Sequence, residues 1–199
     1  MTWVKVCGLR RESEVVAAVE AGADAIGFVL ADSPRRVNES TVHALAREVP
    51  VLSVIVTVDL APDDLLAAAA ATGVSGVQPH GAHQQEAARA AREAGLLVLH
   101  PLAVRDSVDL SHVPADQIPL LDTYRPGAHG GTGQPFDWGL IPDLERPYVL
   151  AGGLGPDNIE EAIRQFAPWG VDASSGLESS LGVKDPVRIR EYVERARGR

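Results

Sequence analysis

The sequence predicts an α/β protein, a single-domain (β/α)8 TIM barrel over residues 1–199 with a shortened or irregular fifth helix. Short β-branched runs alternate with helix-length segments of mixed polarity from one end of the chain to the other. That alternation demands parallel strands with helices packed outside them. About eight such units fit, a compact set beside the roughly 250 residues typical of the barrel. No linker, low-complexity tract or charge block marks a second domain. A doubly wound open sheet is the alternative architecture.

The strands are expected, in order, at Val4–Cys7, Ala25–Val29, Val51–Val58, Gly76–Gln78, Leu96–Pro101, Pro119–Asp122, Tyr148–Leu150 and Gly170–Ser174. After the second strand, Val42, Leu45, Ala46 and Val49 recur at i, i+3, i+4 and i+7, the spacing of one helix face. The alanine tract at 67–71 sits in an amphipathic stretch after the third. Between strands five and six, Ser107–Gln117 contains a proline and little periodicity, so its helix is barely visible. Ile159, Ala162, Ile163 and Phe166 define a helix after strand seven, and Ile189, Tyr192, Val193 and Ala196 another after strand eight.

The 199 residues are 45% hydrophobic and 23% charged, the balance of a folded globular protein. With 18 basic and 27 acidic side chains the formal charge is −9, which disfavours nucleic acid and anionic membranes as partners. A small anionic substrate remains possible where local cations overcome the overall field. The one cysteine rules out an internal disulfide and fits a reducing cytoplasm. The N-terminus lacks the apolar core of a secretory signal, and no apolar run approaches the roughly 20 residues of a membrane span.

In such a barrel the chemistry lies at the C-terminal ends of the strands, with phosphate held after strands seven and eight. On the first strand Lys5 and Cys7 share the inward face, with Cys7 at the upper rim. Cys7 is either an inert core residue or a functional one. Lys5, buried below it, needs an anionic partner, and Asp172 on the adjoining eighth strand is the expected one. Arg35 and Arg36 follow the second strand as an anion-binding fork or a solvated pair. His80 ends strand four as a ligand contact or a helix cap. Asp122 lies at the open end of strand six.

A glycine-rich loop, Gly127–Gly133, follows strand six and contains Gly131; such a loop lets backbone amides approach a ligand. The run Ala151-Gly152-Gly153-Leu154-Gly155-Pro156 ends strand seven, with Pro156 suited to a first helical position. Asp172-Ala173-Ser174-Ser175-Gly176 ends strand eight. Together these last two loops can form a nest of N–H groups for a phosphate dianion.

These motifs together resemble the phosphoribosylanthranilate isomerase family over almost the whole chain. They are Lys5-Val6-Cys7-Gly8-Leu9, Gly27-Phe28-Val29, Ser33-Pro34-Arg35, Val77-Gln78-Pro79-His80-Gly81, Leu121-Asp122 and Gly130-Gly131-Thr132-Gly133 with Phe136-Asp137-Trp138. Then come Ala151-Gly152-Gly153-Leu154, Val171-Asp172-Ala173-Ser174-Ser175-Gly176-Leu177-Glu178 and Gly182-Val183-Lys184-Asp185. The resemblance implies an Amadori rearrangement of N-(5-phosphoribosyl)anthranilate to 1-(2-carboxyphenylamino)-1-deoxyribulose 5-phosphate. By the same resemblance Asp122 is the general acid on the furanose oxygen and Cys7 the general base on the sugar C2. Arg35 meets the anthranilate carboxylate; His80, Gly131 and Asp172 line the ligand; Gly152, Gly153, Ser175 and Gly176 hold the phosphate. It implies a small-molecule phosphosugar substrate, no cofactor and no metal.

Asp122 must stay protonated, which desolvation favours, and Cys7 must become thiolate, which requires a nearby cation. Lys5 and Arg35 are the candidates for that cation. Two positions depart from the family: Pro79 replaces an apolar residue and stiffens strand four, and Arg10 replaces a threonine that would cap a helix. The rival isomerase shared by histidine and tryptophan synthesis has an aspartate where Cys7 stands. A ribulose-phosphate epimerase would need paired histidines and aspartates as metal ligands. A non-catalytic phosphosugar-binding barrel would have no reason to keep both Cys7 and Asp122.

Overall fold

The computed structural model describes residues 1–104, 108–122, 141 and 144–198. The eight strands named below close into a parallel barrel in chain order. They are β1 (Trp3–Cys7), β2 (Ala25–Val29), β3 (Leu52–Val58), β4 (Gly76–His80), β5 (Leu97–Ala103), β6 (Ile118–Asp122), β7 (Val149–Ala151) and β8 (Gly170–Ala173). Around them run α1 (Glu12–Ala21), α2 (Glu39–Ala46), α3 (Pro62–Thr72), α4 (Gln84–Glu93), α5 (Ile159–Phe166) and α6 (Pro186–Ala196). A small antiparallel hairpin, β9 (Glu178–Ser180) and β10 (Val183–Lys184), follows β8. Closure comes from β1 pairing β8, with Lys5 in register with Asp172.

Two apolar layers result from strand alternation. Outward residues such as Val4, Val6, Ile26, Phe28, Ile55, Val77, Leu121, Leu150 and Val171 meet the helices in the main core. Inward residues Val54, Leu99, Leu120 and Val149, with Trp3, Leu97 and Ile118 against them, fill the lower barrel. The helix faces foreseen from periodicity pack as expected: Ile189, Tyr192, Val193 and Ala196 are all buried on α6. On α2 the buried pair is Val42 and Ala46, while Val49 lies in the turn beyond the helix end.

The unit between β5 and β6 contains no helix among its described residues. The proline-bearing loop is tied down by Arg146, which donates to the carbonyls of Val113, Pro114 and Gln117 at 2.7–2.9 Å. His100 Nδ1 meets Gln117 Oε1 at 2.7 Å behind it. Pro79 has a visible consequence. β4 pairs with β3 along its whole length, but with β5 only over Gly76 and Val77, ending before the residue that has no N–H to donate.

The cap expected at position 10 needs correction: the N-cap of α1 is Arg11, and Glu14 three residues on satisfies the backbone amides there. Its Oε2 accepts from the Arg10 and Arg11 amides at 2.7 and 3.3 Å. Arg10 instead uses its guanidinium to join two loops, donating to Pro34 O at 3.1 Å and Gly182 O at 3.2 Å. The expectation for Pro156 needs correction: it lies in a turn, and α5 starts only at Ile159. The turn is stabilised by Asn158, which accepts from Gly155 N–H at 2.9 Å and donates to Gly153 O at 3.0 Å.

Candidate active site

Above the apolar plug, polar side chains enter the barrel from β1, β4 and β8. Lys5, fully buried, donates to Asp172 Oδ2 at 2.8 Å, the partner expected from its strand position. It also donates to Gln78 Oε1 at 3.0 Å. An ammonium can only donate, so the Gln78 amide orientation is fixed and its Nε2 faces His80 Nε2 at 3.2 Å. His80 must accept there, which leaves its ring proton on Nδ1. Burial, then the Lys5 charge, lowers its pKa to about 4, so the ring is neutral. Among the described residues, Asp172 Oδ1 is buried with no partner.

Cys7 sits one step above Lys5 on the same strand face, in register with Gly27 of β2. That glycine supplies space: a Cβ there would stand 2.7 Å from Cys7 Sγ and 3.1 Å from Lys5 Cε. Burial pushes the thiol above its ordinary range; Lys5 opposes that most strongly, Asp172 adds to it, and Lys184 opposes it further. Lys5 itself is raised: burial disfavours its charge, but Asp172 and Cys7 outweigh the burial. Asp122 ends β6 half-buried. Loss of water, then the negative Asp172, raises its pKa to about 6, against a smaller pull from Lys5.

Arg35 is not free in this state. Its Nε and Nη2 fork onto Glu178 at 2.6 and 3.0 Å. Arg36 is exposed, so the two arginines do not act as one fork. Glu178 also accepts from Lys184 Nζ at 2.8 Å and from Gly182 N–H at 3.1 Å. Burial raises Glu178, but these partners outweigh it and hold the carboxyl below its usual range. Lys184 is lowered, because its burial exceeds the help from Glu178. Arg35 therefore answers to Glu178, and the cations acting on Cys7 are Lys5 and Lys184.

Three of these residues had no role in the sequence reading. Gln78 was part of a quoted motif, and its place two residues before His80 on one strand put both on the inward face. Glu178 and Lys184 also stood in such motifs, but nothing local gave their contacts with the site: Glu178 meets Arg35 across 143 residues. Gly131 lies outside the described residues.

The loops after β7 and β8 come together as a backbone cradle. Gly152 and Gly153 hold left-handed φ values of 91° and 66°, open to glycine at no steric cost. A Cβ on Gly176 would collide with the Leu154 carbonyl oxygen, so the Gly153–Gly155 and Ser175–Gly176 segments can touch only as glycines allow. Ser175 opens the short 3-10 turn Ser175–Leu177 beside them. Among the described residues, no cluster of three or more His, Cys, Asp or Glu side chains is arranged to hold a metal ion. No helix among them is long and apolar enough to cross a membrane.

The chain is matched over residues 4–195 by the family described as N-(5'phosphoribosyl)anthranilate (PRA) isomerase. A relative of that name from Desulforudis audaxviator is 42% identical over 205 residues, spanning 99% of this chain and 98% of its own. One from Chromohalobacter salexigens is 44% identical over 200 residues, spanning 96% and 92%. The crystal structure of phosphoribosyl anthranilate isomerase from Thermotoga maritima superposes with a TM-score of 0.87 at 32% identity over 100% of both chains. Another phosphoribosyl anthranilate isomerase, in complex with reduced 1-(o-carboxyphenylamino)-1-deoxyribulose 5-phosphate, gives 0.84 at 31% identity over 100% of both chains. On the closed eight-stranded barrel and these full-length matches, the chain belongs to the N-(5'-phosphoribosyl)anthranilate isomerase family.

Proposed function

We propose that this chain is the isomerase of N-(5'-phosphoribosyl)anthranilate, converting it to 1-(2-carboxyphenylamino)-1-deoxyribulose 5-phosphate by acid–base catalysis. The observation that carries the reading is a carboxyl and a thiol at the C-terminal ends of two barrel strands, Asp122 on β6 and Cys7 on β1, with the Lys5–Asp172 pair between β1 and β8. A carboxyl raised to about 6 keeps a usable proton near neutrality, as a general acid requires.

Asp122 gives its proton to the furanose ring oxygen as the C1–O bond breaks, leaving a protonated Schiff base. The Cys7 thiolate takes the C2 proton. The C–H electron pair becomes the C1–C2 double bond, and the iminium electrons settle on nitrogen. The enolamine then tautomerises to the ketone. After turnover the enzyme holds a Cys7 thiol and an Asp122 carboxylate, the same total of protons with which it began.

The remaining residues bind and orient. Arg35, held as a fork by Glu178, meets the anthranilate carboxylate through Nη1, the nitrogen that Glu178 does not engage. Neutral His80 offers its Nδ1–H, and Asp172 Oδ1 accepts from a sugar hydroxyl. Gly131 lines the same ligand. The phosphate rests on the amides of Gly152, Gly153, Ser175 and Gly176. A reducing cytoplasm suits a catalytic thiol that must not oxidise.

The test is a fluorescence assay with freshly generated N-(5'-phosphoribosyl)anthranilate and chromatographic identification of the product. Disappearance of the substrate signal with formation of the ketose phosphate supports the reading. A well-folded chain that leaves the substrate intact refutes it.

A further inference from the structure

We propose that Lys5 is the positioning residue that makes Cys7 a base: its ammonium, fixed from below by Asp172 and Gln78, turns its remaining N–H to the Cys7 sulfur and stabilises the thiolate. This rests on the reading of Cys7 as the base that takes the C2 proton.

Counting donors separates Lys5 from its competitor. An ammonium has three N–H groups. Lys184 has a partner for each: Ser174 O at 3.0 Å, Ser174 Oγ at 3.3 Å and Glu178 Oε1 at 2.8 Å. Lys5 has two partners among the described residues, Asp172 Oδ2 and Gln78 Oε1. Its third N–H has no hydrogen-bond partner among the described residues, and the next side chain on the same face of β1 is Cys7. Residues i and i+2 of a strand share a face, and Gly27 leaves out the Cβ that would crowd Cys7 Sγ and Lys5 Cε.

The charges around the thiol point the same way. Lys5 lies beneath it on β1, Asp172 comes from β8, Lys184 from β10, and Arg35 with Glu178 from the loop after β2 and from β9. Neutral His80 lies on β4, and Asp122 on β6 feels both Lys5 and Asp172. Burial raises the thiol, and Lys5 is the largest influence against that, ahead of Lys184. Asp172 has a divided role. It keeps an ammonium charged in a fully buried place, while its own charge works against the thiolate. In the step itself the thiol proton leaves to solvent, the Lys5 N–H closes on the sulfur, and the thiolate later accepts the C2 proton.

Because Cys7 is the only cysteine, its titration can be followed in the intact protein by thiolate ultraviolet absorbance, with no substrate present. Lys5→Met moves the thiol midpoint upward by about one unit or more, so the thiolate fraction below the midpoint falls about tenfold. Lys184→Met shifts it less. Should Lys5→Met fail to fold, the comparison is Lys5→Met/Asp172→Asn against Asp172→Asn alone, where loss of Lys5 again raises the midpoint. An unmoved midpoint in the folded Lys5 variant, or a larger shift from Lys184→Met, overturns the proposal. A thiol that responds to Lys5 in a protein inactive on the aminosugar would instead defeat the functional reading and leave this electrostatic link standing.

Discussion

The Lys5 ammonium lies 2.8 Å from Asp172 Oδ2, across the seam where the first strand of the barrel meets the last. Both side chains are shielded from water, so the pair joins closure of the fold to the electrostatics of the site. Deleting one partner leaves a buried charge without compensation. Lys5→Met is expected to lower unfolding stability by about 3–5 kcal/mol, with part of that restored when Asp172→Asn is added. Urea denaturation of the two variants measures it; a single variant as stable as the parent would show that the seam does not depend on the pair.

The proton count of Asp122 and Cys7 predicts the pH profile of kcat/KM. The productive form carries one proton on the pair, placed on Asp122. Below about 6, both groups are protonated and no base remains, so activity falls with decreasing pH. Above the raised thiol value both are ionised and no acid remains. Between these limits activity is flat, with the thiol–carboxylate arrangement predominating. In Asp122→Asn the residual activity should follow the thiol alone, and its acid limb should move upward. An acid limb that stays near 6 in that variant would assign it to another group. The same shift has a stability sign: the contribution of Asp122 is full below the ordinary carboxylate value and is lost as pH rises through about 6.

Gly27→Ala tests the packing of the base. Its Cβ would fall 2.7 Å from Cys7 Sγ, a separation that requires the thiol to move. Turnover should drop by as much as about 10²-fold, since a displacement near 1 Å at a reacting group has that effect. Steady-state kinetics beside a thermal melt separates this from unfolding, and a folded variant with unchanged kcat contradicts the placement.

Arg35→Ala should raise KM roughly 10–100-fold, the loss of one charge-assisted contact, with a smaller change in kcat. Glu178→Gln removes the charge and replaces one acceptor oxygen of the fork with an NH2 that cannot accept, so its KM should lie between parent and Arg35→Ala. If Glu178→Gln changes KM as much as Arg35→Ala does, Glu178 does more than hold the arginine.

Much of this arrangement could be read from the chain. Strands were recoverable within a few residues because short buried apolar runs alternating with helix-length segments have few other solutions. Lys5 and Asp172 could be matched because barrel closure makes strands one and eight neighbours. Arg35 was legible as a cation but not as the partner of Glu178, since nothing local links a loop after β2 to a hairpin after β8. Lys184 pairs with Glu178 only six residues away, but nothing in the hairpin sequence marks it as a buried cation acting on Cys7. The unit after β5 departed from the ideal because Arg146 and His100 hold its proline-bearing loop through side-chain hydrogen bonds, a solution with no periodic signature.

The most direct measurement compares turnover of N-(5'-phosphoribosyl)anthranilate by the parent, Cys7→Ser and Asp122→Asn under one set of conditions, each variant first shown to be folded. The account predicts a parent that forms the ketose phosphate and two variants slowed by about 10²–10⁴-fold or more. Near-parent turnover in either variant would contradict the assignment of acid and base to these two residues.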